Sequence, residues 1–220
     1  MIWRPAQELG FAFVQARETR KLPGGVETFD PAVPGEGARR VSPHLTSVVR
    51  VPAGLAQTLA DATRALPGAA GHYLYPHGDL HLTVLNVDAA RQPRLAERVE
   101  AVAAALAPAA PFPVVLAGLG VSRWSVYARA YDPAGSLWRL RAQVADATGS
   151  RPPLPLRLLG FVNVLRFVRP EVGELLAGLA PMRRVPLGVF DVAAVEVVRT
   201  DRVLSAAGTE MLRRVVLAGR

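Results

Sequence analysis

Hydrophobic positions along this chain change period several times, and each change marks an element. Val48–Val51 is a short β-branched run of strand character. Pro52 follows as a helix opener, and Leu55, Leu59, Ala62 and Leu66 then recur at helical spacing up to the Pro67-Gly68 break. A polar loop, GHYLYPHGD, leads into the alternating run LHLTVLNV. The Ala-rich stretch Gln92–Leu106 reads as a helix ended by APAAPFP. A weak echo of this order follows: PVVLAGLGV and WSVYARAY as strands, Leu137–Ala147 as a helix, LLGFVNVLRFV as a strand and Pro170–Leu179 as a helix. VPLGVFDVAAVEVVRTD is strand-rich, and RRVVLAG closes the chain as a short strand.

Two β-α-β-containing halves with mixed strand order predict an α+β fold with two pseudo-symmetric lobes flanking a central groove, their sheets antiparallel or mixed, rather than a doubly wound nucleotide fold. Residues 1–42 differ: an apolar patch, Leu9–Val14, precedes a stretch in which Gly and Pro fall too densely for a helix or long strand. They are expected to form a loop-rich N-terminal extension, with the domain at 43–220 divided into lobes at about 43–110 and 111–220. The Gly35/Gly37 pair lacks the preceding strand and following helix that a phosphate-cradling loop needs.

A chain of 220 residues, half of them hydrophobic, can bury a substantial core. Cysteine is absent, which removes disulfides, thiolate metal sites and cysteine nucleophiles. The N-terminus lacks a continuous apolar signal-peptide core, and no stretch offers the roughly 18 apolar residues of a membrane span, so a cytoplasmic location and no membrane association are expected. The net charge of +8 is almost wholly arginine, Lys21 being the sole lysine. A basic surface steers phosphate polyanions, which makes nucleic acid or a phosphorylated small molecule a reasonable partner, although composition alone, with a solvated basic surface, explains much of the charge.

The triplet His81-Leu82-Thr83 carries the most chemistry. In an extended strand His81 and Thr83 share one face, with Leu80, Leu82 and Val84 on the other. Histidine exchanges a proton near neutral pH, and a hydroxyl two residues on can donate to a phosphoryl oxygen beside it. Read alone, the triplet is a weak signal and describes a strand histidine satisfied by a backbone partner better than a catalytic one.

The order of elements resembles the two-histidine (2H) phosphoesterase superfamily, which includes the bacterial 2'-5' RNA ligase and cyclic phosphodiesterase (LigT-like) proteins. The likeness covers about Leu45 to Gly219. It runs through SVVRVPAGLAQTLADATRAL, HLTV, GLGVSRWSVYARAY, GFVNVLRF and VAAVEVVRTD. It implies two H-x-T motifs, one per lobe, facing each other across a groove, with one histidine activating water and the other protonating the leaving oxygen of a 2',3'-cyclic phosphate. It further implies no cofactor and no metal, and a nucleotide or RNA phosphate as ligand. His81 and Thr83 match the first motif. The second aligns with Phe161, Val162, Asn163, Val164, Leu165 and Arg166, so its histidine and threonine are both missing. Phenylalanine transfers no proton, and losing one general acid or base costs about 10²–10⁴ in rate. The Asn163 amide can still donate to a phosphate oxygen. Arg166 matches the motif's arginine, but strand parity turns it to the face opposite Phe161 and Asn163 unless a bulge intervenes.

Other candidates are weaker. His44-Leu45-Thr46 repeats the triplet's spelling; His44 is either a surface residue or a substitute proton donor. His72 and His77 border the groove or lie in a solvated loop, and with Asp79 they match no usual metal-ligand spacing. Trp124, Tyr127 and Tyr131 lie along a predicted strand, where they pack a core or, Tyr127 above all, stack a base. Three readings stay open: an enzyme on 2',3'-cyclic or 2'-5'-linked phosphates with reduced activity, an inactive phosphate or RNA binder, and an interaction domain whose groove is filled, by the N-terminal extension for instance. What faces His81 separates them. Protein partners are not legible.

Overall fold

The computed structural model describes residues 3–22, 25–29, 44–87, 94–150, 158–201, 204–205 and 208–219. Gly35 and Gly37 lie outside them. The strands are β1 (His44–Arg50), β2 (Tyr73–Leu74), β3 (His81–Val87), β4 (Phe112–Val121), β5 (Ser125–Tyr131), β6 (Gly160–Arg166), β7 (Pro186–Val192), β8 (Ala194–Thr200) and β9 (Glu210–Val216). The helices are α1 (Trp3–Lys21), α2 (Ala53–Arg64), α3 (Leu95–Leu106), α4 (Ser136–Thr148) and α5 (Gly173–Met182). The expected α+β class holds.

All nine strands join one antiparallel sheet in the order β7-β4-β5-β6-β3-β1-β8-β9, with β2 added on β6. Its two halves meet at β3 and β6, where Leu82↔Val162 is the one paired position among the described residues. The halves are not the two consecutive chain segments expected, 43–110 and 111–220. β8 pairs with β1, so the C-terminal strands complete the first half while β4 to β7 form the second. Local hydrophobic pattern carries no signal for such a return.

One face of the sheet holds the main core. Leu82, Val84, Val126, Ala128, Val162, Val195 and Val197 meet Leu59 of α2, Val102 and Leu106 of α3, Leu140 and Val144 of α4 and Leu175 of α5, all almost fully buried. Alternation along each strand supplies the apolar face, and i, i+4 spacing supplies the helix stripes. Local signals place α4: the Asp132 carboxylate accepts from the Leu137 N–H at 2.6 Å at its start, and Gly149, at φ +70°, ends it in the left-handed region that suits glycine.

α1 lies against the opposite face, on the second half of the sheet. It corrects the loop-rich reading of residues 1–42 over Trp3–Lys21. Phe11 is 1% exposed against Tyr127, Tyr131 and Leu159, and Gln7 donates to the Leu158 carbonyl and accepts from the Asp132 N–H. Most of the helix surface is solvent-exposed, and its apolar residues make no broad stripe, so the helix depends on this tertiary seat.

Candidate functional site

The antiparallel pair Leu82↔Val162 sets the geometry of both motif strands. Its register puts His81 opposite Asn163 and Thr83 opposite Phe161, and directly opposed residues of an antiparallel pair point to the same face. That face is the one away from the main core, since Leu82 and Val162 between them are 0% exposed. The two triplets therefore form a square around a pseudo-twofold axis, with a histidine and a threonine on β3 and a phenylalanine and an asparagine on β6.

Both strands carry the same irregularity at the same place. The β1–β3 register skips Val84, and the β5–β6 register skips Val164. Val84 and Leu85, like Val164 and Leu165, consequently both turn into the core, and the fifth position beyond each motif start returns to the groove face. That position is Asn86 in the first strand and Arg166 in the second. The bulge thus overrides simple parity and brings Arg166 to the side of Asn163.

His81 is 4% exposed, so it does not line an open groove as expected. Its surroundings are nevertheless polar. Nδ1 donates to the Asp79 carbonyl at 2.6 Å, and because a carbonyl only accepts, the proton sits on Nδ1 and Nε2 keeps its lone pair. Tyr75 stands beside the imidazole with ring centroids 6.4 Å apart, and the Tyr75 hydroxyl accepts from Arg166 Nε at 3.1 Å. Arg50, the register partner of His81 on β1, is the second nearby cation. Burial pushes the His81 pKa down to about 4; the bond to Asp79 works against this, and the charges of Arg50 and Arg166 reinforce it. Thr83 is half-buried.

On β6, Phe161 packs on Tyr127 with centroids 5.6 Å apart, and the Asn163 Oδ1 accepts from the Ser125 hydroxyl at 2.9 Å, which fixes the amide and leaves its nitrogen as the donor end. Tyr127 is 4% exposed beneath α1, its phenol pushed up to about 12 by burial, so it is not placed to stack a base from solvent. Tyr131 is likewise buried, against Phe11 at 5.2 Å. Trp124 sits in the turn before β5 rather than on it, its backbone N–H donating to the Ser122 hydroxyl.

The other histidines stay apart. His44 does face the groove side but pairs with Thr200, six positions along β1 from Arg50, or about 20 Å from His81's neighbour. Burial lowers its pKa, with Asp201 acting the other way. His72 accepts from the Val168 N–H at 3.3 Å and packs edge-on to Phe167. His77, in the 3-10 turn His77–Asp79, lies 3.4 Å from Arg64. Among the described residues no group of three or more His, Asp or Glu side chains is placed to hold a metal ion, and no described helix is long and apolar enough to cross a membrane.

Sequence reasoning missed three arginines. Arg141 of α4 donates to the carbonyls of Thr83 (2.8 Å), Val84 (2.7 Å) and Leu159 (2.8 Å), replacing the ladder where β3 and β6 splay apart. Arg50 flanks His81, and Arg129 is the register partner of Phe161. The alternation Tyr127-Ala-Arg129-Ala-Tyr131 was the available signal for Arg129, since those three side chains share a face.

Two triplet-bearing strands paired at the centre of an antiparallel α+β sheet, their triplets on one face, are the arrangement that the 2H phosphoesterase resemblance implies. A family model for the 2'-5' RNA ligase superfamily matches residues 51–203, and the chain belongs to that superfamily. The fold is similar to TT0787 of Thermus thermophilus (21% identity, 80% of this chain and 99% of that one, TM-score 0.58). It is also similar to E. coli LigT complexed with phosphate (16%, 80% and 98%, TM-score 0.58) and with 3'-AMP (14%, 80% and 98%, TM-score 0.57). A search of the curated proteins finds no match.

Proposed function

We propose that the groove holds the phosphate of a nucleotide or RNA end, of the 2',3'-cyclic or 2'-5'-linked kind, and turns it over slowly or not at all. The observation that carries this reading is the asymmetric square: His81 and Thr83 on β3, Phe161 and Asn163 opposite them on β6. His81 Nε2, with its lone pair free of the Asp79 bond, is the ring nitrogen left to take a proton from a water attacking phosphorus. Its pKa, lowered above all by burial, leaves it unprotonated and so a base, not an acid, at neutral pH, and a phosphate beside Arg166 would offset part of the smaller effect of the nearby cations. The departing 2' or 3' oxygen still needs a proton, and Phe161 has none to give. Thr83, the Asn163 amide nitrogen and Arg166 remain to grip the phosphoryl oxygens. That E. coli LigT has been crystallised with phosphate and with 3'-AMP supports this ligand class.

A second reading has its own observation. α1 seats Phe11 among Tyr127, Tyr131 and Leu159 on the groove face of the second half, as a filled groove in a non-catalytic interaction domain would require.

The double change Phe161→His and Asn163→Thr tests the first reading. Hydrolysis of 2',3'-cyclic AMP should rise by roughly 10² or more, the lower range for one positioned proton-transfer group, and should vanish when His81→Ala is added. Efficient turnover by the unmodified chain that survives His81→Ala would remove His81 from the site.

A further inference from the structure

We propose that Arg129 is an anion-binding residue of the groove, holding the ligand's phosphate on the β6 side beside Phe161. The inference rests on the reading above and adds a residue to it. The starting point is the pseudo-twofold relation between the halves. Arg50 is the register partner of His81, and Arg129 is the register partner of Phe161, so the same residue type flanks the first position of each triplet on the outer neighbouring strand.

The two arginines differ in how their charge is met. Arg50 is neutralised: its Nε lies 2.9 Å from Glu196 Oε2, and its Nη1 donates to the Gly78 carbonyl. Arg129 has no carboxylate or hydrogen-bond partner among the described residues, and its Nε is shielded from solvent and unpaired. The acids on the elements packed around it are turned elsewhere. Glu8 of α1 pairs with Arg4 and Glu18 with Lys21, while Asp132 caps α4. What surrounds Arg129 is aromatic: Phe161 beside it, Tyr127 and Tyr131 along its own strand, and the Phe11 ring 5.6 Å from its guanidinium carbon.

A half-buried cation without a counter-charge, on the groove face and next to the phosphate-gripping square, is a poor structural element and a good anion receptor. Its desolvation is already borne in the folded protein, and the apolar walls strengthen its attraction for a negative ligand. Guanidinium holds two phosphate oxygens in a fork and keeps its proton at any working pH, so it grips without supplying the missing acid. Phe11 stands over the same guanidinium. The ring therefore limits access, and its removal should strengthen binding.

Calorimetric titration of the full chain with inorganic phosphate, and with 2',3'-cyclic AMP, tests this across Arg129→Met, Arg129→Lys, Phe11→Ala and Arg166→Met. Arg129→Met keeps an apolar stem under Phe11 and should weaken both ligands about 10-fold or more, in the range for a charged hydrogen-bonding group. Arg129→Lys should recover part of the loss. Phe11→Ala should tighten phosphate binding in the parent chain and leave it unchanged in the Arg129→Met background. Should Arg129→Met fail to fold by circular dichroism, the lysine and Phe11 variants decide: retained binding in the first with tighter binding in the second supports the assignment, and any other pair of results overturns it. A folded Arg129→Met protein that binds phosphate as the parent does, while Arg166→Met binds weakly, overturns the role of Arg129 and leaves the groove reading standing. Loss in neither variant, or no binding by the parent and Phe11→Ala chains, overturns both.

Discussion

Acidification should destabilise this protein through His81, and the size of the effect follows from where the imidazole sits. In the unfolded chain it titrates near 6.5; in the folded protein burial holds it near 4, with Arg50 and Arg166 opposing the charged form. Between those values the unfolded state binds a proton that the native state does not, so stability rises with pH across the window and falls as pH drops from 6.5 towards 4. The gap is worth about 3 kcal/mol in full at about 1.36 kcal/mol per pH unit, and about 2 kcal/mol is already lost at pH 5. His44 and His72 also have lowered pKa values through burial, so the parent curve alone overstates His81. The measurement is urea unfolding of the parent and of His81→Gln, whose amide can keep the bond to the Asp79 carbonyl, at several pH values from 7 to 5. The difference between the two should move in favour of the variant by about 2 kcal/mol over that range. Parallel curves would refute the burial argument, and with it the view that His81 is held neutral as a base. Saturating phosphate, by offsetting the charges of Arg50 and Arg166, should raise the folded-state pKa while burial still holds it below 6.5, and so soften the parent's acid limb.

Arg141→Leu removes the donors for three backbone carbonyls at the splayed joint of β3 and β6, and a cost of about 3 kcal/mol or more is expected in thermal or urea unfolding, since each stranded buried carbonyl costs about 1–3 kcal/mol; an unchanged midpoint would show that water replaces the guanidinium. Gly120→Ala would place a Cβ 2.7 Å from the Tyr127 ring and 2.8 Å from its hydroxyl, so the ring must leave its seat. A loss of about 1–3 kcal/mol and a changed tyrosine signal in near-UV circular dichroism should follow, and a variant identical to the parent in both would contradict the packing of Tyr127 under α1.

Much of the site was legible from local pattern because strand parity and helical spacing are short-range properties. His81 and Thr83 share a face, Leu82 lies in the core, and the helices at α2, α3 and α4 fall close to where the periodicity put them. The family resemblance added the pairing of the two triplets and the departure from the motif at Phe161 and Asn163. The bulges at Val84 and Val164 were not legible, since Val-Leu after each triplet reads as ordinary strand, and the skipped residue is defined only against a partner. Through them Arg166 comes to the face that carries His81 and Asn163. The return of β8 and β9 to the first half, the seating of α1 through Phe11, and the contrast between a neutralised Arg50 and an unpaired Arg129 likewise depend on contacts between residues far apart in the chain. The burial of His81 belongs with these: its neighbours Tyr75, Arg50 and Arg166 come from three separate segments, and no window around HLT contains the packing that buries the imidazole or the two charges that reinforce its neutral form.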